Sequence, residues 1–316
     1  MSATDSAAVS ATAEIAASGR RRLRIAIAIA TAGRVELLPL IAPHWIHQTR
    51  PADTILVVGA EQTDVGALAQ SFPELDVIIA PRKGLPNQRN GALDRLGNTI
   101  DLVVFFDDDY VPSRTFLETL EGLVIAHPDL AMITGRVLSD GIMGPGISYE
   151  AGRDLVAAYD AAHPEAAQRF SLKLRRNAYG CNMVANIALS PQTRFDPALP
   201  LYAWLEDVDY SVRMRAFGRS VECFELVGVH LGVKVGRTPG RRIGYAQIAN
   251  PIYLHKKGSL SRFDAFELAA RNCAKNLFLS AFPEPWFDRF GRLQGNLIGL
   301  GDWFCGKLHP QRMLDL

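Results

Sequence analysis

The sequence predicts an α/β fold: a doubly wound, mostly parallel sheet flanked by helices, with a helical C-terminal extension. Three observations carry this. Short apolar runs alternate with helical segments from residue 23 onward. The run "VVFFDDDYVPS" (103–113) drives four apolar residues straight into three carboxylates, at the kind of strand end where such sheets place ligands. The composition, 316 residues with 48% hydrophobic and 21% charged, suits a globular chain with a sizeable core.

The elements read as follows. "LRIAIAIAT" (23–31) is a strand, and "VELLPLIAPHWIHQT" (35–49) a helix interrupted at Pro39. Strand 54–60, a short helix over 65–72 and strand 75–81 come next. Residues 86–98 read as a helix and "DLVVFFD" (101–107) as the fourth strand. Ser113 is placed to cap a helix over 114–128, and "LAMITGRVL" (130–138) follows as a strand.

Global properties narrow the function. A formal net charge of +1 gives no reason to expect nucleic acid. Cys181, Cys223, Cys273 and Cys305 are far apart, form no CxxC, and fit a reducing cytoplasm. No apolar run approaches the ~20 residues of a spanning helix. The Ala-, Ser- and Thr-rich start precedes the basic "RRRLR" instead of following it, so residues 1–22 read as a disordered extension and not as a signal peptide.

Asp107, Asp108 and Asp109 repel one another and need a compensating charge. A polar turn favouring the next helix start is the plain alternative, but three acids exceed what a cap requires. Side chains alternate along an extended chain, so Asp107 and Asp109 point the same way. Such a pair suits a hard divalent cation, Mg²⁺ or Mn²⁺, held together with substrate phosphates. A second cluster, Glu206, Asp207 and Asp209, falls in the first turn of a helix whose apolar stripe is Val208, Val212 and Phe217, with Gly218 beyond its end. Acids there complement the helix dipole, and one of them is also well placed as a general base. One acidic site for a metal and another for a base suggest group transfer from a diphosphate.

Several segments, in this order, resemble glycosyltransferase family 2, the inverting nucleotide-sugar enzymes with a GT-A fold. "IAIATAGR" is similar to that family's first strand and nucleotide loop, and "GLPNQRNGAL" to its Arg-Asn helix. "FFDDDYVP" resembles its DxD motif. "GCNMVANIALSPQTRFDP" followed by "WLEDVDYSVRMRAFG" resembles the stretch ending in its ED pair, and "VGVHLG" its later metal-binding histidine. The resemblance covers residues 23 to 260 and implies a catalytic domain over 23–250. It implies that Thr31, Arg34, Arg89, Asn90, Asp108 and Asn182 line the nucleotide-sugar pocket, and that Asp107 serves both nucleotide and metal. Asp109 and His230 would complete the metal site. Asp207 would be the base that deprotonates the acceptor hydroxyl, with Glu206 orienting acceptor or sugar. The acidic pair that usually ends the second strand is missing, so either Glu61 or Asp64 substitutes for it or the nucleotide base is read differently. The Gly- and Pro-rich segment with Arg237, Arg241 and Arg242 reads either as a basic loop that closes over the diphosphate or as a plain solvated loop.

A sugar-phosphate nucleotidyltransferase or a non-catalytic nucleotide-sugar binding protein are the other classes compatible with such acids. The first wants a Gly-rich loop after the first strand, where "ATAGRVELL" has one glycine. The second has no need of the ED helix. Residues 251–316 form the expected helical extension, in which aromatic residues mix with basic ones. Packing on the catalytic domain is one reading, and contact with an anionic bilayer surface the other. The resemblance adds a glycan or polyprenyl-diphosphate-linked acceptor for surface or exopolysaccharide synthesis, at the inner face of the plasma membrane.

Overall fold

The computed structural model describes residues 22–316. Apart from Arg22, the expected N-terminal extension lies outside the described residues. In chain order the elements are β1 (Ile25–Thr31), α1 (Leu38–Ile46), β2 (Thr54–Gly59), α2 (Gln62–Val65), α3 (Leu68–Ser71), β3 (Leu75–Ile79), α4 (Leu85–Leu96) and β4 (Leu102–Asp107). Then come β5 (Tyr110–Pro112), α5 (Phe116–Ala126), β6 (Leu130–Asp140), α6 (Tyr149–Ala162), β7 (Leu172–Leu174), β8 (Asn182–Asn186), α7 (Glu206–Met214) and β9 (Arg219–His230). Helices α8 (Gly240–Lys257), α9 (Arg262–Ser280) and α10 (Arg289–Phe304) close the chain.

One sheet holds all the described strands, in the order β3-β2-β1-β4-β8-β6-β9-β5, with β7 paired to β9. β1 to β4 are mutually parallel, and β6 and β9 are parallel to each other. β8 runs against both β4 and β6. Its first residues therefore meet the last residues of β1, β4, β6 and β9 at one edge, and the site forms there.

The β1 sequence explains its two packing faces. Ile25, Ile27 and Ile29 enter one core with α1, while Ala26 and Ala28 face the other, where α4 lies on the sheet through Ala92, Leu93 and Leu96. Small residues on that face let the helix approach closely. The first helix differs from its expectation. Pro39 lies in the first turn of α1, where no backbone N–H is needed, and the interior proline is Pro43. The segment read as one helix over 65–72 is two single turns. Ser113 is not the cap of α5. Thr115 takes that position, while the Ser113 hydroxyl donates to Asp160 Oδ1 (2.5 Å).

Helix α7 also buries a different face from the one expected. Asp209, Tyr210, Ser211 and Met214 point inward, whereas Phe217 is exposed beyond the helix end. Tyr210 stacks on Phe195 with centroids 4.0 Å apart. The acid turned inward, Asp209, is neutralised by Lys257 (2.8 Å) and Arg213 (2.8 Å), and the Ser259 hydroxyl donates to it (2.6 Å).

The expected boundary at 250/251 falls inside α8, where Pro251 is an interior residue. Helices α8 and α10 touch through glycines. A Cβ on Gly244 would lie 2.0 Å from the Arg292 carbonyl oxygen, and one on Gly295 equally close to that of Arg241. Among the described residues, no helix is long and apolar enough to cross a membrane.

Candidate active site and metal centre

The C-terminal ends of β1, β4, β6 and β9 supply the first half of the site. Asp107, Asp109 and His230 each offer one ligand atom, all within 4.8 Å of one another. His230 Nδ1 stands 2.8 Å from Asp140 Oδ1, and the Tyr179 hydroxyl donates to the other oxygen of Asp140 (2.9 Å). An N–H at Nδ1 leaves the lone pair of Nε2 facing Asp109 Oδ1 (3.4 Å) and Asp107 Oδ2 (3.9 Å). Asp109 Oδ1 is buried and makes no hydrogen bond. A lone pair and an orphaned carboxylate oxygen pointing at one spot fit a divalent cation between them. A carboxylate behind a ligating histidine is the usual support for such an ion, and Asp140 supplies it.

The unused oxygen is the more telling because the rest of Asp109 is occupied. Its Oδ2 accepts the Val233 N–H (2.8 Å) and pairs with Arg34 (3.2 Å). Burial opposes ionisation of Asp109, but His230, Arg34 and the Val233 N–H outweigh it and hold its carboxyl well below the usual range. Burial likewise opposes a charge on His230. The carboxylates of Asp109 and Asp140 win and push it up to about 10, so a proton occupies the place the cation would take.

Asp108 points elsewhere. It accepts from the Thr31 hydroxyl (2.7 Å) and from Arg34 Nη1 (2.6 Å). Burial lifts its carboxyl to about 6 against the pull of Arg34. The third acid therefore fastens the 31–34 loop to β4, with Arg34 also donating to the carbonyls of Val233 and Val235.

The second acidic centre lies at the start of α7. A run of left-handed residues delivers it: Leu201 (φ 55°), Ala203 (φ 52°) and Leu205 (φ 77°), none of them glycine. Each such conformation costs on the order of 1–3 kcal/mol and persists only where the surroundings impose it. Here the Leu85 N–H donates to the Leu201 carbonyl (2.8 Å) and Asn250 Nδ2 to that of Trp204 (2.8 Å). Asp207 accepts the N–H groups of Gly180 (3.1 Å) and Val208 (2.8 Å) and stays partly accessible. Burial raises its carboxyl above the ordinary range.

Arg89 joins the two centres. It is 3% exposed and donates to Glu206 Oε1 (2.7 Å), Asp107 Oδ1 (3.3 Å) and the Gly180 carbonyl (2.9 Å). Its guanidinium lies over the rings of Phe105 (5.6 Å) and Phe195 (5.3 Å). One guanidinium thus serves Asp107 and Glu206, with Asp207 beside them. Burial and the Asp207 charge push Glu206 up to about 8 despite Arg89.

The remaining expected residues are placed differently. Asn90 bonds both backbone groups of Phe195, through Nδ2 to its carbonyl (2.9 Å) and from its N–H to Oδ1 (2.7 Å). It positions the ring beneath Arg89. Asn182 is completely buried, and its amide is committed to Thr134, Tyr110 and the Gly135 carbonyl. It cross-links strands inside the sheet, with its amide hydrogen-bonded within the protein. Asp64 is occupied by the N–H groups of Gly33 (2.8 Å) and Glu61 (2.7 Å), while Glu61 pairs with Lys83 (2.5 Å). Of the expected basic loop only Arg237 lies beside the site. Arg241 is on α8, and Arg242 holds the C-terminal carbonyls of Leu314 and Leu316.

Three contributors escape sequence reasoning. Asp140 and Tyr179 come from elements whose meeting at His230 no local pattern announces. Gln88 donates to the carbonyls of both Thr31 (2.8 Å) and Val58 (2.8 Å), tying the ends of β1 and β2 to α4. Its place beside Arg89 in "PNQRN" was the one available signal.

No protein-family model and no curated protein matches the chain. Solved structures do. The mannosyltransferase PcManGT from Pyrobaculum calidifontis, solved in complex with GDP-Man and Mn²⁺, has a TM-score of 0.50 at 17% identity, over 89% of this chain and 86% of that one. S. aureus TarS 1-349 has a TM-score of 0.49 at 13% identity, over 90% and 92%. At these identities the likeness concerns the fold. The chain has a GT-A-like doubly wound sheet, with a site fit for a divalent cation at its carboxyl edge.

Proposed function

We propose that the protein is a divalent-cation-dependent, inverting glycosyltransferase that moves a sugar from a nucleotide-sugar donor to a hydroxyl of a glycan acceptor. One observation carries this reading: Arg89 ties a cation site, Asp107, Asp109 and His230, to a second carboxylate centre, Glu206 and Asp207. The spacing suits a reaction with a charged leaving group at one end and a proton to remove at the other. Fold likeness to a mannosyltransferase solved with GDP-Man and Mn²⁺ agrees with it.

Asp107, Asp109 and His230 would hold the cation, which supplies Lewis-acid stabilisation of the departing diphosphate. Thr31 and Arg34 shape the nucleotide loop through Asp108, and Arg34 adds positive charge beside it. Asp207 accepts the proton of the attacking hydroxyl, which the Gly180 and Val208 N–H groups hold it ready to do. Glu206 fixes Arg89 and so the distance between the two centres. Attack from the face opposite the leaving group inverts the anomeric centre in one displacement. Incubation with nucleotide sugars and Mn²⁺ should release the nucleoside diphosphate, and a chelator should stop the release. Release that is indifferent to the chelator would refute this reading.

The acceptor we favour is a polyprenyl-diphosphate-linked glycan at the inner face of the plasma membrane, in surface or exopolysaccharide synthesis. The support is an aromatic patch where α9 and α10 meet. Phe266 and Trp303 pack 5.7 Å apart, Phe304 lies 5.3 Å from Trp303, and Arg262 sits over Phe266. Aromatic rings beside a cation suit an anionic headgroup layer. Vesicles containing anionic lipid should co-sediment the protein at low salt and release it at high salt. Absence of co-sedimentation at low salt would argue for plain packing.

A further inference from the structure

Beside the metal centre, the segment after β9 and the helical extension gather cations around the ring of Phe287. Lys234 Nζ lies 5.4 Å from its centroid, Arg289 4.6 Å and Arg292 4.7 Å. Arg289 is matched by Glu284 through two bonds of 2.8 Å. The others are not matched. Among the described residues, Lys234, Arg237 and Arg292 form no ion pair. Lys234 rests on the carbonyls of Gly141 and Ile142 (both 2.9 Å), and Arg237 on those of Val233 (3.0 Å) and Gly232 (3.2 Å). Arg292 Nε is buried with no hydrogen-bond partner.

The acids nearby are already engaged. Asp109 and Asp140 face His230, and Asp288 caps α10 by accepting the Gly291 N–H (2.7 Å). Burial and mutual repulsion lower the cations in consequence: Lys234 falls to about 8, chiefly through burial and Arg237. Arg292 falls to about 10, through burial, Arg289 and Arg237. Half-buried cations held together without an ion pair of their own are costly, and an anion relieves that cost. Arg34 and Arg89 are committed to carboxylates, whereas these three keep their charge for a ligand.

Their position indicates which ligand. Lys234 and Arg237 stand on the segment that also touches Arg34, whereas Arg292 belongs to α10. Tyr202, half exposed on the strained loop before α7, senses Arg237 as well as Glu206 and Asp207. Through Tyr202, Arg237 thus neighbours Glu206 and Asp207, the carboxylates taken as orienting and deprotonating the acceptor. We propose that Lys234 and Arg292, gathered around Phe287, and the neighbouring Arg237 form a phosphate-binding site that holds a phosphate or diphosphate group of the acceptor. This rests on the glycosyltransferase reading for the word acceptor, but not for the binding itself.

The test uses octyl phosphate, a soluble phosphate monoester, in calorimetric titrations of the full chain. It is run with a chelator present, and again after saturation with Mn²⁺ and GDP or UDP. Wild type should bind octyl phosphate in both conditions. Arg292→Ala should weaken this by at least about tenfold, the worth of one charge-assisted hydrogen bond. Arg292→Lys should recover part of it, with thermal unfolding confirming that both variants fold. Affinity for the Mn²⁺–nucleoside diphosphate should change less than about twofold. Wild type failing to bind octyl phosphate, or Arg292→Ala binding it normally, would overturn the proposal. A parallel loss of nucleoside diphosphate affinity in Arg292→Ala would give the cluster to the donor instead. A protein that binds no nucleoside diphosphate at all would sink the glycosyltransferase reading, while the chelator titration would still decide this one.

Discussion

Between α8, α9 and α10, the amides of Gln247, Asn276 and Asn296 are buried and answer one another. Asn276 Nδ2 donates to Gln247 Oε1 (2.7 Å) and Asn296 Oδ1 (2.8 Å), and Asn296 Nδ2 to the Gly244 carbonyl (2.7 Å). In the cleft, Asp107, Asp109, Glu206 and Asp207 crowd around Arg89, Arg34 and His230, and Asp109 Oδ1 makes no hydrogen bond, with His230 Nε2 near it at 3.4 Å. The first network is closed: its one charged member, Arg289, donates to Asn276 Oδ1 (3.3 Å) and is itself paired with Glu284, so no ligand is needed. The second has an excess of acid that a cation would complete. A buried polar group with all its bonds made is a structural part, whereas one with a bond missing marks a place where something else belongs.

Helix α7 holds both kinds side by side, which allows the comparison to be broken deliberately. Asp209 is the closed kind. Asp209→Asn leaves Arg213 facing an amide while Lys257 keeps Asp196 (2.6 Å), and should destabilise the fold by about 2 kcal/mol. Denaturant unfolding would register this, while nucleoside diphosphate affinity of the folded fraction should hold. Asp207 is the open kind. Asp207→Asn keeps its shape and removes the proton-accepting charge, so donor binding should persist while transfer falls by at least ~10²-fold. Near-normal transfer would remove Asp207 from the role of base, and a larger direct loss of chemistry at Asp209 would move the base there.

A smaller, graded effect should appear with pH. Without a cation, His230 keeps its proton up to about 10, above its unfolded value of 6.5. That proton contributes stability that is complete below 6.5 and lost as pH rises through about 10. A cation at Nε2 must displace it, so Mn²⁺ affinity should climb with pH by up to about tenfold per unit until the histidine deprotonates freely. His230→Gln should bind more weakly and flatten the slope. A wild-type affinity that ignores pH would place the ion elsewhere.

Much of this arrangement is legible in the sequence because it depends on strand ends. An apolar run stopping at Asp107 declares a sheet edge, and the two-residue alternation brings Asp107 and Asp109 to one side. His230 is found by its order in a resemblance, since a lone histidine says little. What is not legible depends on partners far along the chain. Asn182 and Asn90 are polar residues within the resembling segments, yet hydrogen bonds to Thr134 and Phe195 turn them toward the protein interior. Asp140 supports His230 across 90 positions of sequence. The buried face of α7 is only partly legible: Val208 packs on the cluster of Leu199, Ala203 and Leu254 as expected, but Phe217 is exposed and the fully buried face is Asp209, Tyr210 and Met214, with Asp209 paired to Lys257.

The central claim is that Asp107, Asp109 and His230 hold a divalent cation through which the nucleotide is bound. Calorimetric titration of Mn²⁺ into wild type and Asp109→Asn, with a nucleoside diphosphate present, tests it most directly. The account predicts one ion per chain in wild type, a loss of at least about 100-fold in the variant, and the same loss of nucleotide affinity in wild type treated with a chelator. Wild-type Mn²⁺ affinity in Asp109→Asn, or nucleotide binding unaffected by the chelator, would contradict it.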